Sequence, residues 1–165
     1  MNHSCPYNIT SKFEYTNIKC NCTDPSFCIM EHCYIKSINR TYKYISIKAK
    51  LLQAPVTKLN FALYKRLNGY LPFLYNITVD SCRFLKNTKS NLIADFFYSL
   101  LRPYSNLNHT CPYDHDLIID KLPTSFLNNQ LTHILPLPEG QYMLRTNWIA
   151  YDILRGKIDF YGNLS

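Results

Sequence analysis

The chain has 165 residues, enough to bury a real core within one domain. Its formal charge of +7 comes from lysines and arginines that are scattered rather than clustered. With no basic helix and no recognisable motif, this argues against a nucleic-acid partner and leaves long-range attraction to an anionic membrane surface, a receptor or another acidic partner. No apolar run reaches the ~18 residues that a membrane-spanning helix needs.

In chain order, residues 1–12 are polar, hold Cys5, and read as a flexible tail before a single domain over 13–162. Phe13 to Cys20 alternates Phe13, Tyr15 and Asn17 against Glu14, Thr16 and Ile18, which is the period of a strand. Ile29–Ile38 and Tyr42–Leu52 read as two strands joined at Asn39-Arg40-Thr41, the second with Ile45, Ile47, Ala49 and Leu51 on one face and Ser46, Lys48 and Lys50 on the other. After Pro55, Leu59, Phe61 and Leu63 alternate with Lys58, Asn60 and Tyr64 up to Asn68-Gly69, a strong hairpin signal that should fold this strand onto Tyr70–Val79. There Leu71, Phe73, Tyr75, Ile77 and Val79 share one face, while the opposite face carries the glycan acceptor Asn76-Ile77-Thr78 and so must point to solvent.

The helical signal is one stripe, Leu92, Ile93, Phe96, Phe97, Leu100 and Leu101, with Asp95, Ser99 and Arg102 on the polar side. Thr88 or Ser90 is expected to cap it and Pro103 to end it. Such a stripe serves either as ordinary core or, through its adjacent phenylalanines, as the lining of a pocket mouth. Cys82 and Cys111 bracket this helix; if bonded, they close a loop of about 30 residues and contribute roughly 3 to 4 kcal/mol in the chain-entropy model. Tyr113–Leu122 is read as a further strand, and Pro123–Gln130 as no more than a helical turn. Gln141–Tyr151, with Tyr142, Leu144, Thr146 and Trp148 on one face, and Leu154–Tyr161, with Ile158 and Phe160, complete the set. Arg155-Gly156 suggests a bulge or a close backbone approach. About eight short strands, turn chemistry between them and one helix near 90–102 predict a mainly β fold, an antiparallel sandwich.

Seven cysteines and the acceptor signals at Asn2, Asn8, Asn21, Asn39, Asn76, Asn108 and Asn163 point together to an oxidising secretory route. Asn8, Asn39, Asn76 and Asn108 are expected to carry glycans. Met1–Thr10 lacks the apolar core of a signal peptide, so the export signal is expected to have been trimmed or lost from the gene model. Cys20, Cys22, Cys28 and Cys33, beside His32, allow two readings: a metal cluster, whose spacing fits no common zinc finger, or two local disulfides, Cys20–Cys33 and Cys22–Cys28, that pin the first strand to the second. His109, Asp114, His115 and Asp116 near Cys111 have catalytic residue types but lack the motif of a known hydrolase and read as a solvated turn. No enzyme activity, cofactor or metal is expected.

Several stretches, Cys33-Tyr34-Ile35-Lys36 with Asn39-Arg40-Thr41, Leu67 to Asn76 with Asp80 and Cys82, Asn108 to Asp116, and Leu137 to Tyr142, resemble a large insect family of small secreted proteins. It is catalogued as a domain of unknown function and includes the fly CheB-type chemosensory proteins. That family looks like a relative of the lipid-recognition superfamily of the ganglioside activator and the myeloid-differentiation coreceptor. The resemblance covers Phe13 to Tyr161. It implies an immunoglobulin-like β-sandwich whose sheets part around an apolar ligand, and four family cysteines at Cys20, Cys33, Cys82 and Cys111. Cys5, Cys22 and Cys28 are additions.

The resulting expectation is a secreted, non-enzymatic carrier of a small hydrophobic ligand, a lipid or hydrocarbon pheromone, in chemosensory or reproductive use. Leu59, Phe61, Phe73, Tyr75, Ile77, Trp148 and Phe160 are expected to line the cavity, and Phe96, Phe97 and Leu100 to gate it. The alternative is the same sandwich with a filled core, acting on a receptor or another extracellular protein through its surface.

Overall fold

The computed structural model describes residues 12–53, 56–111, 115–134 and 137–165. The expected tail with Cys5, Asn2 and Asn8, the break at Pro55 and the patch residue Asp114 lie outside the described residues. The described residues form eight strands: β1 (Phe13–Cys22), β2 (Cys28–Ser37), β3 (Lys43–Leu51), β4 (Lys58–Leu67), β5 (Gly69–Asp80), β6 (Leu117–Pro123), β7 (Gly140–Ala150) and β8 (Ile153–Leu164). They build two antiparallel sheets, β1-β8-β7-β4-β5 and β2-β3-β6. The fold is therefore the mainly β sandwich that the alternating pattern implies.

The sheets differ by two strands, and helices cover the uncovered side. Between β5 and β6 the chain forms α1 (Ser81–Lys86) and α2 (Leu92–Leu101), and α2 lays Phe97 over Phe61 of β4 and Tyr75 of β5. The face that α2 buries is Ala94, Phe97, Tyr98, Leu100 and Leu101. Leu92, counted in the expected stripe, is 68% exposed, because Tyr98 takes its place and rotates the buried face. The cap is Asn91, not Thr88 or Ser90: its Oδ1 accepts from the Ala94 amide at 3.1 Å.

Local irregularities account for other departures. In β1 the register shifts between Tyr15 and Asn17, a bulge that turns Ile18, Cys20 and Cys22 inward and Asn17 outward, against the uninterrupted alternation expected. Leu71 is 47% exposed, since it pairs with Lys65 at the open end of the β4–β5 hairpin. The sixth strand starts at Leu117, and after it Thr124–Asn129 forms a short helix, α3, longer than the single turn expected. Its Asn128 Oδ1 accepts from the Phe13 amide at 2.7 Å.

Three disulfides, Cys20–Cys33, Cys22–Cys28 and Cys82–Cys111, lock the frame. The first two tie β1 of the large sheet to β2 of the small one, so the sulfurs of the metal reading are consumed. A buried hydrogen bond from the Tyr15 hydroxyl to the Leu122 carbonyl, 3.2 Å, joins the sheets again from β1 to β6. Burial pushes the Tyr15 phenol far above its ordinary value. Three disulfides suit a chain matured in an oxidising, extracellular type of environment, and among the described residues no helix is long and apolar enough to cross a membrane.

Two glycines permit close packing. A Cβ on Gly162 would fall 2.2 Å from Phe13 Cε1. One on Gly156 would meet the Trp148 ring at 3.2 Å and Cys28 Sγ at 3.4 Å, the close approach that Arg155-Gly156 suggested.

Candidate functional site: two apolar cavities between the sheets

Leu59 and Leu63 sit four residues apart on one face of β4, about 13 Å along the strand, and each borders its own cavity. The lower cavity, about 70 Å³, lies toward the β7–β8 turn among Ile47, Val56, Leu59, Phe84, Trp148 and Phe160. The upper one, about 60 Å³, lies toward the chain ends among Phe13, Leu63, Phe97, Leu100, Tyr142 and Leu164. Leu101 and Phe160 border both. Phe61, on the lower side, stacks on Phe97, on the upper side, with centroids 5.8 Å apart and 20° between planes. These four side chains form a wall across one inter-sheet space.

The chemistry of the lining is almost purely apolar, and among the described residues no side chain lining either cavity carries a charge. Its phenols and the threonine hydroxyl are satisfied by backbone carbonyls. Tyr98 donates to Leu107 at 2.7 Å, Thr146 to Ile158 at 3.4 Å and Tyr142 to Pro138 at 2.5 Å. Burial raises the Tyr142 phenol above its ordinary value, so it stays neutral. The charged groups face the other way: on the outer side of the large sheet Arg145 makes a bidentate pair with Asp159, 2.8 and 3.0 Å, and that carboxylate holds the guanidinium more firmly protonated still.

Of the residues expected to line a cavity, Leu59, Phe61, Trp148 and Phe160 come together at the lower one, and Phe97, Leu100 and Phe160 at the upper one. Phe73, Tyr75 and Ile77 pack on the inner face of the edge strand β5 against the core and border neither cavity. Tyr75 is covered by Phe97, 5.9 Å between centroids, and Phe73 lies 5.8 Å from Tyr142. Of the residues expected to gate the cavity, Phe97 and Leu100 line the upper one, while Phe96 is half-buried beside Phe97 and borders neither.

Sequence reasoning missed Leu101 as wall, Val56 and Phe84 as lining, and Ser81 altogether. Helical spacing could have placed Leu101 beside Phe97. Ser81 gave no signal, because α1 is too short to show periodicity. Asn39, Asn76 and Asn108 are exposed, as is Asn21, so each can carry a glycan without disturbing the core. Of the polar patch, His109 and His115 approach with ring centroids 4.9 Å apart, and Asp116 lies 4.0 Å from Lys48. Among the described residues no group of three or more His, Cys, Asp or Glu could hold a metal ion.

A family model described as a protein of unknown function, DUF1091, matches residues 59–144. The match spans just over half of the chain, from the first cavity residue of β4 through α1, α2 and α3 to β7. No curated protein matches the chain. The chain is a member of the DUF1091 family.

Proposed function

We propose that this DUF1091 member is a secreted, non-enzymatic binding protein that holds a small hydrophobic molecule between its two sheets. The observation that carries the reading is the divided inter-sheet space: two apolar cavities, no charged lining, and one shared wall made of four side chains. Voids larger than a water molecule are few in a well-packed interior, and an apolar void can accept an apolar guest. The three disulfides and exposed acceptor asparagines support maturation in the secretory route. A chemosensory or reproductive role, and kinship with the lipid-recognition sandwiches, are what the motif resemblance implies and belong to this proposal.

The test uses the sole tryptophan, Trp148, which lines the lower cavity. The refolded, oxidised protein is titrated with a panel of short lipids, pheromone-like esters and hydrocarbons while Trp148 emission is followed. Saturable shifts are expected, and no response across the panel removes the carrier.

One observation favours a second reading. Each cavity is well below the roughly 300 to 1,000 Å³ of ordinary ligand pockets, so the core is close to filled. Apolar side chains stand exposed at the β4–β5 hairpin, Leu67 at 66% and Leu74 at 67%. The alternative is thus a surface-acting module that meets a receptor or another extracellular protein through such tips.

A further inference from the structure

Ser81 is wholly buried, with 0% of its surface exposed, and lines the lower cavity. Its Oγ has no hydrogen-bond partner among the described residues. The other hydroxyls bordering this cavity, on Tyr98 and Thr146, each donate to a backbone carbonyl. The position is also fixed. The Ser81 amide donates to the Thr57 carbonyl at 2.9 Å, Asp80 caps α1 through the Arg83 amide at 2.9 Å, and Cys82 is bonded to Cys111. The backbone at Ser81 is thus held in place, and its hydroxyl lies at the cavity wall.

We infer that the lower cavity takes a neutral, monofunctional apolar molecule, an alcohol, ketone or ester, whose hydroxyl or carbonyl oxygen pairs with Ser81 Oγ. The inference rests on the carrier reading and narrows it. A hydroxyl both donates and accepts, so it serves an alcohol or a carbonyl alike. A buried hydroxyl left unpaired is costly, so a bare hydrocarbon forfeits the gain that an oxygenated guest collects. A carboxylate is disfavoured, because among the described residues no cation lines the cavity to offset its desolvation. The polarity of the site is one group wide.

The experiment compares hexane, 1-hexanol, 2-hexanone and hexanoate as probes of equal chain length, binding being read from Trp148 emission at pH 8. Wild type, Ser81→Ala and Thr146→Val are titrated in parallel. Thr146→Val removes a hydroxyl from the same cavity that is already satisfied within the protein. The ratio of the hexane to the hexanol dissociation constant is expected to fall about tenfold in Ser81→Ala and to stay near wild type in Thr146→Val. The hexanone ratio should move likewise, and hexanoate should bind weakest to all three proteins. Ratios that Ser81→Ala leaves unchanged overturn the inference while leaving the carrier standing. Failure of every probe to shift Trp148 emission overturns both.

Discussion

Leu101 offers the sharpest handle on the divided interior, because it borders both cavities at once. Leu101→Ala removes part of the wall and joins voids of about 70 and 60 Å³ through the space its side chain leaves. Buried Leu→Ala changes cost about 3 to 5 kcal/mol, the spread tracking the cavity left behind. Leu101 already faces open space on two sides, so it forfeits fewer packing contacts than a fully enclosed leucine, which places the loss at the low end, about 3 kcal/mol. For a domain of this length that lowers the melting temperature by roughly 6 to 12 °C. Thermal unfolding by circular dichroism measures the loss, and a chain-length series of linear alcohols, read by Trp148 emission, measures the consequence. The merged cavity should shift the preferred ligand to a longer chain. A folded variant with wild-type chain-length preference would refute the wall, and a loss near 5 kcal/mol would mean that Leu101 is packed on all sides.

The remaining predictions concern the frame. Replacing both Cys82 and Cys111 by alanine should cost about 3 to 4 kcal/mol in urea unfolding, since the bond closes a 29-residue separation; an unchanged midpoint would mean that α1 and α2 are held by packing alone. Gly162→Ala forces a methyl onto the Phe13 ring, 2.2 Å away at Cε1, and should destabilise by about 1 to 3 kcal/mol through overpacking; a neutral effect in the same unfolding assay would show that Phe13 can step aside. Acid should loosen the lower end of the sandwich. The Asp24 carboxyl is held below its ordinary 3.8 by hydrogen bonds from the Ser26 hydroxyl and from Arg155, and Asp152 is held low by Lys58. A depressed carboxyl gives stability that is present above the unfolded value and lost as pH falls through the folded one. Unfolding midpoints should therefore be flat above about pH 5 and drop below about pH 4, less steeply in Asp24→Asn; a midpoint unchanged down to pH 2 would contradict the assignment.

The parts of the fold readable in advance are those where one local rule acts alone. Alternation placed β3 and the inner face of β7, Asn68-Gly69 set the β4–β5 hairpin, and the cysteine spacing fits the two disulfides that tie β1 to β2. Reading failed where tertiary packing overrode the pattern. Tyr98 is amphipathic, so its burial in place of Leu92 depends on the Leu107 carbonyl that receives its hydroxyl. The β1 bulge depends on the partner strand β8 and leaves no mark in Phe13–Cys22 itself. For the site, β-strand alternation put the right faces inward but could not tell which inward residues meet a void. Phe73, Tyr75 and Ile77 share the pattern of Phe61, yet they sit on the edge strand under α2. Ser81 carries no sequence mark, because its role depends on a hydroxyl left without a partner by the tertiary packing around it.

The account turns on whether a guest occupies the space between the sheets, and native mass spectrometry of the protein taken directly from a secreting cell and enzymatically deglycosylated asks this most directly. The expected spectrum shows a single small-molecule mass excess that organic extraction removes and analysis identifies as a neutral, oxygen-bearing apolar compound, with Trp148 emission shifting on its release. A spectrum fully explained by the polypeptide and its three disulfides, with emission unmoved by extraction, would contradict the carrier and leave the surface-acting sandwich in its place.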